Sequence, residues 1–101
     1  MKIELYIDGE KKIFTAPFVP MLAKRKFLEI EAAAEKRREE KGDTPPTAQE
    51  QLEEDDKILS ILTDIIFKKQ FTIEQLLEGA SKEYIDAKLL EAVWGIKPED
   101  E

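Results

Sequence analysis

The stretch Phe71-Thr72-Ile73-Glu74-Gln75-Leu76-Leu77-Glu78-Gly79 contains the most complete set of helix signals in the chain. Thr72 is placed to cap the helix, and Gln75, three residues later, is placed to bond back to the Thr72 amide. Phe71 and Leu76 flank this start as a hydrophobic staple, and Gly79 ends the helix. The C-terminal third of the chain is therefore predicted to have a closely specified fold.

The composition favours binding over catalysis. The chain has no histidine and no cysteine, which removes the usual general base, the thiol nucleophile and the soft metal ligands. It also excludes a disulfide framework. We therefore expect no enzyme activity, no cofactor and no metal site, and we predict a protein that acts by contacting other molecules.

Length and hydrophobic content indicate one domain over residues 1–101. Hydrophobic residues make up 42% of the chain and charged residues 39%, enough to bury a core and leave a strongly solvated surface. No stretch of eighteen apolar residues occurs, and the first residues alternate polar with apolar. We expect a soluble protein with no secretory leader and no membrane contact.

Charge is unevenly distributed. The net charge is −7, but residues 1–41 carry 10 basic and 8 acidic side chains, whereas residues 42–101 carry 6 and 15. The excess of acidic groups disfavours nucleic acid as a partner overall.

The N-terminus has the pattern of a β-hairpin over residues 1–15. Ile3, Leu5 and Ile7 alternate with polar residues, Asp8-Gly9 is a turn signal, and a short second strand is predicted near 12–15. A lone hairpin is marginal in water, so it must pack on the helices or extend the sheet of a partner.

Helical signals occupy most of the remaining chain. Helices are predicted over 21–41, 48–68, 73–79 and 82–94, with a mobile tail over 96–101. The first carries an apolar stripe through Ala23, Phe27, Ile30 and Ala34, widened by Leu22 and Leu28 near its start. Thr47 with Glu50 forms a capping box for the second, and Ser81 caps the last. The fold class is α+β, mainly α, with a short hairpin followed by three or four helices.

The candidate partner-binding residues are apolar. The later half of the 48–68 helix is apolar around much of its circumference, as expected of a core element or an interface. Phe71 and Trp94 could anchor a partner, although aromatic residues beside helix ends more often complete the core. The candidates are Ile58, Leu59, Ile61, Leu62, Ile66, Phe67, Phe71 and Trp94.

The charged and hydroxyl residues indicate solvated helices more than metal, nucleic-acid or catalytic sites. Glu53-Glu54-Asp55-Asp56 are consecutive on a helix and diverge, so they do not converge on a metal ion. Lys24-Arg25-Lys26 and Lys36-Arg37-Arg38 are interleaved with glutamates, which describes a solvated helix better than a basic groove. Ser60 and Ser81 have no histidine to activate them.

Three stretches carry a resemblance to a known family. They are residues 1–9 (MKIELYIDG), 14–20 (FTAPFVP) and 71–79 (FTIEQLLEG). In their order and spacing the chain resembles the tail assembly chaperones of long-tailed bacteriophages that infect Gram-positive hosts. The resemblance spans nearly the whole chain, although its motifs are patterns of fold and none is a catalytic signature.

The resemblance implies a function and partners. Such a chaperone binds the tape measure protein, helps to recruit tail tube protein around it, works in the host cytoplasm and is absent from the mature virion. Self-association through the apolar helix at residues 58–67 is a further expectation. Two other readings stay open: a small regulatory protein that binds nucleic acid through the first helix, and a structural virion component.

Overall fold

The computed structural model describes residues 1–96, which form a hairpin followed by four helices. Strands β1 (Lys2–Ile7) and β2 (Glu10–Thr15) are antiparallel. The helices are α1 (Met21–Lys41), α2 (Ala48–Ser60), α3 (Ile73–Gly79) and α4 (Lys82–Trp94), and a π-helical segment (Ile61–Ile66) continues α2. The prediction of an α+β fold, mainly α, is confirmed.

The hairpin is closed by the turn that the sequence indicates. Asp8 and Gly9 both have positive φ, 54° and 79°, as a two-residue type I′ turn requires. The register places Ile3 opposite Phe14 and Leu5 opposite Lys12. Ile3 and Leu5 are fully buried, so one face of the hairpin packs on the helices.

The three predicted helix caps are confirmed. Thr72 accepts a hydrogen bond from the Gln75 amide while the Gln75 side chain accepts one from the Thr72 amide, and Thr47 forms the same box with Glu50. Ser81 accepts a bond from the Tyr84 amide. These contacts satisfy amides at helix starts that have no partner inside the helix.

The helix predicted over 48–68 changes from α-helical to π-helical in its second half. The α-helix ends at Ser60, and the π-helical segment follows it to Ile66. Lys68 and Lys69 then have positive φ, 53° and 65°, which ends the helical path. Because a π turn relates residue i to residue i+5, it places two adjacent pairs of apolar side chains, five positions apart, on the same buried face, where α-helical spacing would spread them around the helix. These side chains are Ile61, Leu62, Ile66 and Phe67.

The core lies between the hairpin, the π segment and α3. Phe71 packs between Phe14, at a ring-centroid distance of 5.0 Å, and Phe67, at 5.3 Å. Gly79 of α3 lies against the backbone of β1, where an added Cβ would be 2.8 Å from the Tyr6 carbonyl oxygen. The hairpin is therefore held by the helices, as its marginal stability requires.

The predicted mobile tail falls almost wholly on residues 97–101, which lie outside the described residues. Ile96 is described, and its amide donates to the Leu90 carbonyl oxygen at 3.4 Å. Ile96 therefore belongs to the structure that ends α4.

Candidate protein-binding surface

Trp94, at the end of α4, is held on one side and open on the other. The Phe27 ring of α1 meets it edge to face, with 6.0 Å between ring centroids and an interplanar angle of 81°. The Lys24 ammonium lies 5.5 Å from the centroid of the Trp94 ring. Trp94 is nevertheless 46% exposed. A large aromatic side chain fixed by an aromatic and a cationic neighbour is a preorganised contact point.

The end of α4 adds two aliphatic side chains to this point. Gly95 has φ 72°, and its amide bonds back to the Glu91 carbonyl oxygen, which is an αL helix ending. The Ile96 amide donates to the Leu90 carbonyl oxygen at 3.4 Å, so Ile96 lies beside the end of α4. Leu90 lies one helical turn before Trp94, so the two share a face of α4. Leu90 and Ile96 are both about half exposed.

Helix α1 contributes the other side of the surface. Met21 and Leu28 lie three residues before and four residues after Lys24, and therefore on the same face as Lys24. Both side chains are exposed. We call the set that these two helices present the Trp94 surface, and it consists of Met21, Leu28, Leu90, Trp94 and Ile96.

Charged side chains border the Trp94 surface. On α1, Arg25 lies one helical turn from both Met21 and Leu28 and pairs with Glu29 at 3.7 Å. On α4, Lys88 pairs with Glu91 at 3.5 Å, and these two side chains are only 16% and 17% exposed. An apolar patch with a charged rim is the usual organisation of a surface that contacts another protein.

The structure separates the sequence-predicted candidates into two groups. Trp94 is exposed, and Ile58 is half-buried in a shallow groove of about 500 Å³ that also contacts the exposed Leu77. The other six are buried because they form the core against the hairpin and α3: Leu59, Ile61, Leu62, Ile66, Phe67 and Phe71. Partner binding through these six stays a prediction, and it would require the core to open.

The sequence did not identify the other members of the Trp94 surface. Helical spacing places Leu22 and Leu28 at the margin of the apolar stripe of α1, and both are exposed. The buried part of the stripe is narrower than the apolar pattern indicates, because only Ala23 and Ala34 of α1 are buried. No periodic signal marks this surface, because its members come from two helices whose relative position depends on tertiary packing.

One ion pair joins two of the charged clusters, and a second pair lies beside them. Arg37 donates to the Glu54 carboxylate at 3.3 Å, and Lys41 pairs with Glu50. The Lys41 bond is the main reason that the pKa of Glu50 falls from 4.5 to about 2. Within residues 1–96, no three acidic side chains come close enough to hold a metal ion. None of the helices in that range has the length and hydropathy needed to cross a membrane.

A groove of about 660 Å³ separates α1 from α2 and the π segment. Its apolar lining residues are Ile30, Ala33 and Ile65, and its charged lining residues carry both signs, including Lys26, Glu29 and Lys57. The groove has no cluster of one charge, so it lacks the basic character of a nucleic-acid site.

The protein has a small α+β fold of one hairpin and four helices. Its exposed surface of aromatic and aliphatic side chains is suited to contacts with other proteins. Comparison with protein families matches residues 1–101 to the phage tail chaperone protein family, and the chain belongs to that family. Neither the curated proteins nor the solved structures contain a match. The family gives the chain a role in phage tail assembly, implies a non-enzymatic action and places its partners among phage tail proteins.

Proposed function

We propose that this chaperone binds the tape measure protein through the Trp94 surface and helps to recruit tail tube protein around it. The proposal extends the family role to particular partners. Before the tube encloses it, a tape measure protein exposes long apolar helical faces, and such faces need a reversible cover in solution. We also propose that the phage is of the long-tailed type that infects Gram-positive bacteria.

The observation that supports the proposal is the state of Trp94. Its ring is fixed by Phe27 and Lys24 yet nearly half exposed, so binding would cost little side-chain entropy. The flanking aliphatic side chains form an apolar strip along two helices, which suits the apolar face of an amphipathic helix. Lys24 and Arg25 border the strip, so we expect acidic residues beside the apolar face of the bound helix.

Binding should occur in the host cytoplasm, before the tube is complete. A chaperone that covers the tape measure must leave as tube subunits replace it, so we propose that it is absent from mature particles. Mass spectrometry of purified virions tests this point. Stoichiometric amounts of the chain in washed particles would instead support a structural virion component.

The direct test is binding of the purified chain to tape measure and tail tube protein from the same phage. Replacing a central aromatic anchor typically costs at least about 2 kcal/mol, so Trp94→Ala should weaken binding of the tape measure roughly thirtyfold. Leu52→Ala is the matched control, because Leu52 is an exposed apolar residue on α2 outside the Trp94 surface. It should change binding by less than about twofold.

Two results would refute the proposal. One is a wild-type chain that binds neither protein and does not keep the tape measure in solution. The other is tape measure binding that Trp94→Ala and Leu52→Ala weaken equally, which would remove the assignment to the Trp94 surface. Circular dichroism of each variant shows that the comparison is made between folded proteins.

A further inference from the structure

The two edges of the hairpin differ in what covers them. On the free edge of β1, the Glu4 amide donates to the Tyr84 hydroxyl of α4 at 2.9 Å. Gly79 of α3 lies against the Tyr6 backbone on the same edge, too close for a Cβ. This edge is therefore covered by helices and closed to further strands.

The edge of β2 is open over its middle. Met1 and Ala16 exchange two backbone hydrogen bonds, at 2.9 and 2.8 Å. This pair determines which residues of β2 direct their backbone N–H and C=O groups toward β1. With the observed register, the N–H and C=O groups of Lys11, Ile13 and Thr15 point away from β1. Gln70 bonds to the Thr15 carbonyl at 2.9 Å. Within residues 1–96, no bond covers the outward groups of Lys11 and Ile13.

Lysines on an edge strand usually prevent another strand from adding to it. Here their charge is compensated within the hairpin. Lys11 pairs with Glu4 at 3.4 Å, and Lys12 pairs with Glu10 at 3.2 Å. The side chain between these lysines and the core-facing Phe14 is Ile13, which is 54% exposed. The edge is therefore near neutral and has an apolar residue at its centre.

We propose that β2 pairs with β2 of a second copy, in antiparallel orientation, with Ile13 opposite Ile13 of that copy. The symmetric alternatives are worse. Centring the pair on Lys11 or Lys12 puts lysine directly opposite lysine, which is destabilising. Centring it on Phe14 or Thr15 brings Pro17 into the ladder, where it has no N–H to donate.

In the proposed register every other contact is compatible. Lys11 lies opposite Thr15 of the second copy, and Lys12 lies opposite Phe14, so no two like charges face each other. The Thr15 carbonyl oxygen has a second lone pair for the new bond beside that used by Gln70. Two hairpins then form one four-stranded sheet, in which the open edge of each β2 is paired.

The dimer should be weak and dependent on concentration. A single six-residue edge buries an area at the low end of protein interfaces. A dimer would present two Trp94 surfaces on one particle and so gain avidity for a long partner with repeated sites. The edge of β2 and the Trp94 surface share no residue, so the dimer does not depend on the proposed tape measure binding.

Sedimentation velocity over a concentration series up to about 1 mM tests the pairing with the full chain. Ile13→Lys and Ile13→Glu each put like charges opposite each other at the centre of the pair. Each variant should weaken the dimer roughly tenfold on its own. An equal mixture of the two should restore association, because lysine then faces glutamate across the pair.

The control is Leu52→Lys, which makes the same change at an exposed apolar site on α2 and should leave the dimer unchanged. Because Ile13 is exposed, its variants should keep the circular dichroism spectrum of the wild type. A wild-type chain that stays monomeric throughout the series overturns the proposal. So does a dimer that both Ile13 variants leave intact, or one that the mixture fails to restore.

Discussion

The Glu4 amide of β1 donates a hydrogen bond of 2.9 Å to the Tyr84 hydroxyl of α4, and these residues are 80 positions apart in the chain. The bond joins the first strand to the last helix. It also uses a strand-edge amide that the second strand does not reach. The first and last elements of the fold are thus linked by one side chain.

Replacing Tyr84 with phenylalanine should lower the free energy of unfolding by about 1 to 2 kcal/mol, because the Glu4 amide loses its partner in a partly buried place. Urea denaturation measures the loss. Hydrogen exchange at the Glu4 amide should accelerate as well. Tyr6→Phe is the control, because the Tyr6 side chain is exposed. It should change the free energy of unfolding by less than about 0.5 kcal/mol. Equal effects of the two changes would contradict the role of the Tyr84 hydroxyl.

Gly79 should resist replacement even by alanine. Alanine is favoured over glycine inside a helix by about 1 kcal/mol, so helix propensity alone predicts a more stable protein. The Cβ, however, would lie 2.8 Å from the Tyr6 carbonyl oxygen and 3.1 Å from its nitrogen. Gly79→Ala should therefore destabilise the fold by about 1 to 3 kcal/mol in thermal or urea unfolding. Glu78→Ala, at the adjacent exposed position, should change stability by less than about 0.5 kcal/mol. A stabilised Gly79→Ala would show that α3 can move away from β1.

The sequence predicts local features of this fold well. The capping boxes at Thr47 and Thr72 and the turn at Asp8-Gly9 depend on neighbouring residues, so their signals are complete within a few positions. The fold class follows from these signals and from the apolar periodicity. The sequence indicates a helix stop at Gly79, but its close contact with β1 has no local signal because the contact joins distant segments.

The π segment and the Trp94 surface escaped prediction for the same reason. Nothing in residues 58–67 distinguishes an α-helical from a π-helical path, because the core, formed by distant segments, determines which side chains must be buried. The sequence indicates Trp94 as a candidate, but the residues that hold its ring, Phe27 and Lys24, come from α1. Helix spacing shows which residues share a face and does not show which faces stay open.

Glycine at position 68 or 69 should stabilise the protein. Lys68 and Lys69 both have positive φ, 53° and 65°, a conformation that costs a residue with a side chain roughly 1 kcal/mol. Lys68→Gly and Lys69→Gly should each raise the free energy of unfolding by up to about 1 kcal/mol. The larger conformational entropy of glycine in the unfolded chain offsets part of this gain. Lys57→Gly, inside α2, should instead lower it by about 1 kcal/mol. If all three substitutions destabilise the protein, the turn after the π segment does not have this conformation in solution.

The carboxylate of Glu50 should titrate far below its ordinary range. It accepts hydrogen bonds from the Lys41 ammonium and from the Thr47 amide, and these lower its pKa from 4.5 to about 2, with Lys41 the largest cause. Because the folded pKa is lower than the unfolded one, this stabilisation is complete above about pH 4.5 and is lost as the pH falls toward about 2. NMR titration of the Glu50 carboxyl carbon measures the midpoint directly. Lys41→Met should raise it toward, but not to, the ordinary value, because the Thr47 amide still donates. Lys36→Met removes an equal charge from the same helix and should leave the midpoint unchanged. A wild-type midpoint near the ordinary glutamate value would show that the contact between α1 and α2 does not persist in solution.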